Sequence, residues 1–240
     1  MVTSRFVGNG DVRVHFLDSG GDDHGAPIVF VPGMTDVADD YVEVLALFGR
    51  RAVVVDIRGH GRSGAPASGY DLDTLSTDLG AVVDAITDGP VHLATFSRGT
   101  SCAVAWAINH PARVRSLSIG DYVPEHKVLP PGVARRLLDG RWRGTPVKER
   151  LDERAAIQTF QAATAQSFWD DVAALQPPLL VVRSGDSVLV GEPEWARYQR
   201  LFPQAMLVEF DDSPHDIFRP DRARYPLLVG RHADVVDGQH

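Results

Sequence analysis

Residues 93–101 read Leu93-Ala94-Thr95-Phe96-Ser97-Arg98-Gly99-Thr100-Ser101, and this stretch decides the fold. It joins a short apolar run at 91–94 to a run of helix-forming residues at 102–107. A serine at a very sharp strand-to-helix turn, with small residues two positions away on either side, is typical of a nucleophile elbow. The turn strains the serine backbone and projects the hydroxyl above the sheet, so Ser97 is predicted to be a nucleophile. The usual pattern is G-x-S-x-G, and here Thr95 stands in place of the first glycine.

The composition predicts one α/β domain over residues 1–240 and argues against several classes of partner. The chain has 24 Lys and Arg against 32 Asp and Glu, a formal net charge of −8, which disfavours nucleic acid or an anionic membrane as the main partner. The only cysteine is Cys102, so no intrachain disulfide can form. No apolar run is typical of a signal peptide or reaches the roughly 18 residues of a membrane span. We therefore expect a cytoplasmic protein and leave its oligomeric state open.

Short apolar segments separated by helical patterns predict a mostly parallel sheet with helices on both faces. Leu75, Leu79 and Val82 share one face of a predicted helix over 72–86. The predicted strands occupy residues 12–16, 27–31, 52–56, 91–94, 114–119, 179–182 and 206–210.

One long segment, residues 122–174, breaks this alternation. It contains no convincing strand, but it holds prolines, helical patches and Arg- and Trp-rich stretches. Because it leaves the sheet at the carboxyl ends of the strands, it is placed to cover a site there. We expect a small helical cap rather than a separate domain.

Ser97 needs a base, and the base needs a carboxylate that fixes its tautomer. Among nine histidines, His215 lies in the loop after the last predicted strand, which returns over the strand ends near Ser97. Asp121 and Asp186 each follow a predicted strand and keep the order serine, acid, histidine. Either can instead be a loop-ordering carboxylate, so the residues alone leave the acid of the catalytic triad open.

An oxyanion hole is expected at the turn Val31-Pro32-Gly33-Met34-Thr35, where Gly33 lets the backbone turn toward the site. The predicted donors are the backbone N–H groups of Met34 and Arg98, which stabilise charge that develops in the transition state. The Arg98 side chain either contacts a substrate carboxylate or bonds locally. No metal-ligand cluster or phosphate-binding loop is visible, so neither a metal nor a cofactor is expected.

Taken together, these segments resemble the α/β-hydrolase superfamily over nearly the whole chain. The stretch Asp56-Ile57-Arg58-Gly59-His60-Gly61-Arg62-Ser63 is similar to that family's D-x-R-G-x-G-x-S loop. The loop is structural in the family, which implies that His60 is structural or lines the pocket.

The resemblance also bears on the acid. Most members carry it as G-x-x-D after the penultimate strand, but here Ser187 stands at that place and Asp186 comes one residue early. One branch of the family has a serine near that place and takes the acid from the end of the strand before the cap. Asp121, 24 residues after Ser97, fits that pattern. The resemblance therefore favours Asp121 over Asp186.

These features predict a cofactor-free serine hydrolase acting on a small-molecule carboxylic ester, lactone or thioester through an acyl-enzyme. The alternatives are a C–C bond hydrolase or a perhydrolase with the same triad, and a non-catalytic ligand-binding protein with the same fold. In this family, epoxide hydrolysis and dehalogenation normally use an aspartate nucleophile, so Ser97 argues against both.

Overall fold

The computed structural model describes residues 1–21, 25–130 and 132–238. Its β-strands, in chain order, are β1 Thr3–Asn9, β2 Val12–Asp18, β3 Ile28–Val31, β4 Ala52–Val55, β5 Val91–Phe96, β6 Val114–Gly120, β7 Glu125–His126, β8 Arg141–Trp142, β9 Thr145–Pro146, β10 Gln166–Ser167, β11 Leu179–Ser184 and β12 Met206–Phe210. Its α-helices are α1 Leu72–Ile86, α2 Gly99–Asn109, α3 Val133–Leu138, α4 Glu153–Gln161, α5 Trp169–Leu175, α6 Glu192–Leu201 and α7 Arg224–Gly238. Short 3-10 helices lie at Ala38–Tyr41, Leu45–Phe48, Pro111–Arg113 and Val147–Glu149.

Eight strands form one sheet in the order β1-β2-β4-β3-β5-β6-β11-β12. Strand β2 runs antiparallel to both of its neighbours, and the remaining pairs are parallel. The predicted mostly parallel sheet is confirmed. The carboxyl ends of β5, β6 and β11 lie at one edge of this sheet, and the loops that begin there carry candidate site residues.

Helices cover both faces of the sheet because the central strands are apolar on both sides. In β3, Val29 and Val31 pack into a core with α1, α2, α5 and α6. The alternate residues, Ile28 and Phe30, pack into a second core with α7 and the first two 3-10 helices. Side chains of consecutive strand residues point to opposite faces, so continuous apolar runs fill both layers.

Residues 122–174 contain more strand than the sequence indicated, and the expectation of no strand there is wrong in detail. Strand β7 pairs with β10, and β8 pairs with β9, each over two residues. Pairs this short leave no hydrophobic periodicity to read. The same segment contains α3, α4 and α5, and α5 places the fully buried Trp169 in the main core. No described helix is both long enough and apolar enough to span a membrane.

Candidate active site

Ser97 lies at the tight turn between β5 and α2. Its backbone has a φ of 51°, in the left-handed region that non-glycine residues rarely adopt, and its N–H donates to the Gly120 carbonyl at 2.8 Å. A Cβ at Gly99 would overlap the carbonyl oxygens of Val31 and Pro32. The turn therefore requires glycine two residues after the serine, and it holds the Ser97 hydroxyl at the edge of the sheet.

Thr95, which replaces the first glycine of the usual motif, is accommodated in β5. The side chain is fully buried, and its hydroxyl lies 2.8 Å from the Thr100 hydroxyl on α2. It also donates to the Ser118 carbonyl at 3.2 Å. The threonine thus ties the strand before the turn to the helix after it.

The structure brings the predicted nucleophile, base and acid into one chain of hydrogen bonds. His215 Nε2 lies 3.0 Å from Ser97 Oγ, and His215 Nδ1 lies 2.7 Å from Asp121 Oδ2. The imidazole also packs against the Phe96 ring, with centroids 5.1 Å apart. A proton on Nδ1 is bound by the carboxylate, which leaves Nε2 free to accept the serine proton.

The two carboxylates that the sequence left open occupy different environments. Asp121 is fully buried, and Ser184 donates to it twice, from its backbone N–H at 2.8 Å and from its hydroxyl at 3.1 Å. Asp186 is exposed and forms no hydrogen bond with His215. Ser184 is a site residue that sequence reasoning missed, because its contact depends on the pairing of β6 with β11.

The turn after β3 holds one predicted oxyanion donor, Met34, and the turn between β5 and α2 holds the other, Arg98. Gly33 N–H donates to Asp36 Oδ2 at 3.0 Å, and a Cβ at Gly33 would lie 2.6 Å from that oxygen and 3.3 Å from Ser97 Cβ. Met34 and Arg98 both line the cavity above Ser97, and neither backbone N–H donates to another described residue. Both amides are therefore available to a ligand oxygen.

The glycine-rich loop after β4, residues 56–63, contacts the turn after β3. His60 is buried, and its Nε2 lies 2.7 Å from the Met34 carbonyl oxygen. Asp56 accepts the Ala38 N–H at 2.6 Å and the Arg62 N–H at 3.0 Å. These contacts match the structural role that the sequence resemblance implies for His60.

Arg143, which the sequence analysis did not single out, joins three parts of the site. Its guanidinium donates to both oxygens of Asp216, at 3.0 and 2.7 Å, and lies 3.3 Å from Asp36 Oδ1. Asp216 follows His215 in the sequence. Asp36 accepts the Gly33 N–H in the turn after β3, which we call the oxyanion turn, and it also accepts the Trp142 Nε1–H at 2.8 Å. Burial raises the pKa of Asp36, although Arg143 and Trp142 oppose that shift.

The Arg98 side chain bonds locally. It donates to the Lys127 carbonyl at 2.9 Å and to His126 Nε2 at 2.7 Å. Burial, together with the neighbouring Arg98 guanidinium, lowers the pKa of His126 to about 4, so the imidazole is neutral at pH 7 and accepts this bond.

A cavity of about 340 Å³ opens above Ser97, Met34 and His215. Residues 122–174 supply much of its wall, including the apolar side chains Leu129, Leu137, Trp142 and Val147. The volume suits a small organic molecule. Within the described ranges, no group of three or more His, Cys, Asp or Glu side chains is arranged to hold a metal ion.

The α/β-hydrolase class is defined by a strained serine between a parallel strand and a helix. A carboxylate and a histidine follow the serine in the chain, and the histidine contacts both the serine and the carboxylate. The family model for the alpha/beta hydrolase fold matches residues 26–121. Together with the superposed structures, this match shows that the chain has the α/β-hydrolase fold.

The names of individual relatives indicate several different reactions. A non-heme chloroperoxidase of Streptomyces lividans is 34% identical over 161 residues, which cover 65% of this chain and 54% of that protein. A 2-hydroxy-6-oxononadienedioate/2-hydroxy-6-oxononatrienedioate hydrolase of Paraburkholderia phymatum is 30% identical over 178 residues, covering 68% of this chain and 60% of the relative. The chain thus matches little more than half the length of these relatives. The crystal structure of E-2-(acetamidomethylene)succinate hydrolase superposes with a TM-score of 0.79 at 20% identity, covering 98% of this chain and 100% of that one.

Proposed function

We propose that the protein is a serine hydrolase that cleaves a carboxylic ester, lactone or thioester through an acyl-enzyme. The observation that carries this proposal is the continuous relay from Ser97 Oγ to His215 at 3.0 Å and from His215 to Asp121 at 2.7 Å. The relay opens into a cavity lined by two unused backbone N–H groups. Nucleophile, base and electrophilic donors are therefore present in one place.

The first half-reaction forms the acyl-enzyme. His215 Nε2 accepts the Ser97 proton while Oγ bonds to the carbonyl carbon, and the carbonyl electron pair moves onto its oxygen. The Met34 and Arg98 amides donate hydrogen bonds to that oxyanion. As the carbonyl re-forms, the bond to the alcohol oxygen breaks, and the leaving group takes the proton from His215.

The second half-reaction releases the acid. A water molecule gives a proton to His215 Nε2 as its oxygen attacks the acyl carbon, and Ser97 Oγ leaves with that proton. Asp121 keeps the imidazole in the reactive tautomer and stabilises the imidazolium that forms in each step. Water and substrate are thus converted to an acid and an alcohol, and Ser97 is restored.

Hydrolysis of a C–C bond next to a ketone is the second candidate. The observation that favours it is the 30% identity to a protein named as a hydrolase of a 2-hydroxy-6-oxo dioate. A third use of the triad is perhydrolysis, in which hydrogen peroxide replaces water in the second half-reaction. The 34% identity to a non-heme chloroperoxidase favours that candidate.

Covalent labelling tests the shared part of these mechanisms. A fluorophosphonate probe is expected to label the wild-type protein, and Ser97→Ala is expected to abolish the label. The exposed Ser68, which does not line the cavity, provides a matched control, since Ser68→Ala should be labelled like the wild type. Absence of labelling in a folded wild-type protein would favour a non-catalytic ligand-binding protein. Turnover of aryl esters, lactones, thioesters and diketones, with and without peroxide, separates the reaction classes.

A further inference from the structure

The ionisable side chains around the cavity are almost all of one sign. Among the described residues, the only carboxylate in its wall is Asp36, whose oxygens already accept hydrogen bonds from Gly33 and Trp142. The chain as a whole carries a formal charge of −8, so a cationic wall does not follow from the composition. The cationic residues of the wall are Arg98, Lys127, Arg136 and Arg141.

Two of these cations are held by neighbouring groups. The Arg98 guanidinium donates to the Lys127 carbonyl and to His126. The Lys127 ammonium lies 3.7 Å from a Glu125 carboxylate oxygen and 5.9 Å from the centre of the Tyr122 ring. Their contribution to ligand binding is therefore reduced.

The other two cations, like Arg98, have no anionic partner among the described residues, and unlike Arg98 both are exposed. Arg136 lies on α3, and no carboxylate in the described part of the chain is within ion-pair distance of it. Arg141, at the start of β8, donates only to the Gly144 carbonyl, at 3.1 and 2.5 Å. Both residues line the cavity, and Leu137 and Trp142, each next to one of them in the sequence, supply apolar wall. The cavity thus joins an apolar lining to an unpaired cationic pair.

We propose that Arg136 and Arg141 bind a carboxylate on the acyl portion of the substrate, at the end remote from the scissile carbonyl. This inference rests on the proposed serine hydrolase function and names its substrate class, a hydrolysable acyl compound with a free carboxylate. Guanidinium groups suit this ligand because their N–H donors match the two carboxylate oxygens. A neutral acyl chain would fill the apolar wall but leave both cations without a counter-charge.

The test compares two substrates that differ in one charge. Mono-p-nitrophenyl adipate ends in a carboxylate, and methyl p-nitrophenyl adipate ends in a neutral ester, while p-nitrophenolate release reports the same bond in both. We expect a higher kcat/KM for the anionic substrate in the wild type. In Arg136→Gln/Arg141→Gln the ratio of the two kcat/KM values is expected to fall at least tenfold. Higher ionic strength is expected to reduce the wild-type ratio, since both cations are exposed.

Arg135→Gln is the matched control, because Arg135 is an exposed neighbour on α3 that does not line the cavity. It removes one positive charge, where the double variant removes two, and it is expected to retain the wild-type ratio. A wild-type ratio of one or less, or an unchanged ratio in the double variant, would overturn the inference while leaving the hydrolase function intact.

A binding measurement keeps the inference testable if neither ester is turned over. Adipate is expected to bind Ser97→Ala in calorimetry, and binding is expected to weaken at least tenfold when Arg136 and Arg141 are also changed to glutamine. No adipate binding to Ser97→Ala overturns the carboxylate site. Failure of the hydrolase function is seen separately, as absence of fluorophosphonate labelling in the wild type.

Discussion

At the scale of single residues, the buried Asp121 carboxylate determines which ring nitrogen of His215 carries a proton. The carboxylate is fully enclosed, and its hydrogen bonds come from the Ser184 N–H, the Ser184 hydroxyl and His215. Three donors around one carboxylate satisfy its oxygens and fix its orientation, as charge-assisted hydrogen bonds do. An ionised Asp121 holds a proton on His215 Nδ1 and leaves Nε2 as the acceptor that faces Ser97.

Asp121→Asn is expected to lower kcat/KM for an aryl ester by on the order of 10³- to 10⁴-fold, because the amide removes the charge that orients and stabilises the imidazolium. Asp186→Asn is the control and is expected to stay within about twofold of the wild type. Circular dichroism and thermal melting of both variants check that each is folded. Loss of activity in Asp186→Asn alone would show that the other carboxylate is the acid.

Sequence reasoning reached part of this site, and the residues show why. Ser97 and His215 have local signatures, namely a strand–serine–helix pattern and a position after the last strand. The acid has no such signature, since Asp121 and Asp186 each follow a strand. The Ser184 contacts that distinguish them exist only because β11 lies next to β6. Neighbouring strands of a parallel sheet are far apart in sequence, so this pairing leaves no local pattern.

At the scale of elements, Arg143 links the 122–174 segment to the loop after β12 and the turn after β3. Its partners, Asp216 after β12 and Asp36 after β3, come from opposite ends of the chain. Burial alone would lower the pKa of Arg143, but Tyr41, Asp216 and Asp36 together raise it above its usual value. The guanidinium is therefore charged throughout the range in which the protein is folded, and the link persists.

Arg143→Ala is expected to lower the free energy of unfolding by about 3–5 kcal/mol, because it leaves two buried carboxylates without their cation. We also expect at least a tenfold fall in kcat, because Asp216 adjoins His215 and Asp36 holds the oxyanion turn. Denaturant unfolding and ester hydrolysis measure the two effects.

A charge-compensated variant, Arg143→Met/Asp216→Asn, is expected to recover part of the lost stability, since one unpaired carboxylate is removed with its partner. Arg135→Ala, which removes an exposed arginine on α3, is the control and should be near neutral in both assays. Equal unfolding free energies for Arg143→Ala and the wild type would contradict the link.

The elements themselves were predictable to different degrees. The buried strands β3, β4 and β5 are continuous apolar runs, and their positions follow from the sequence. Strand β1 was missed because it lies at the sheet edge with mostly exposed or half-buried side chains. The two-residue strands β7 to β10 were missed because pairing this short depends on neighbouring elements rather than on side-chain pattern.

At the scale of the whole molecule, a buried histidine connects the central sheet to the last helix. His92, in β5, is 1% exposed, and its Nδ1 lies 2.7 Å from the Ser116 hydroxyl. Arg50 donates to its Nε2 at 3.1 Å and also pairs with Asp237 on α7. Because Nε2 accepts a hydrogen bond, the imidazole is neutral in the folded state.

This arrangement predicts acid sensitivity of the whole fold. Burial lowers the pKa of His92 to about 4 from 6.5, although Asp237 opposes the shift. Between pH 6.5 and about 4 the unfolded chain therefore binds a proton that the folded chain does not, so stability is lost as pH falls through this window. His92 alone is expected to reduce the free energy of unfolding by up to about 3 kcal/mol across it.

Urea unfolding at pH 7.5, 6, 5 and 4.5 measures this loss, and His92→Gln removes the titrating group. The variant is expected to be less stable than the wild type at pH 7.5, because glutamine does not reproduce the bonds to Ser116 and Arg50 together. Its stability should also fall less steeply toward pH 4.5, so the two curves converge. His110→Gln, at an exposed histidine, is expected to keep the wild-type slope. Parallel curves for His92→Gln and the wild type would show that the acid sensitivity comes from other groups.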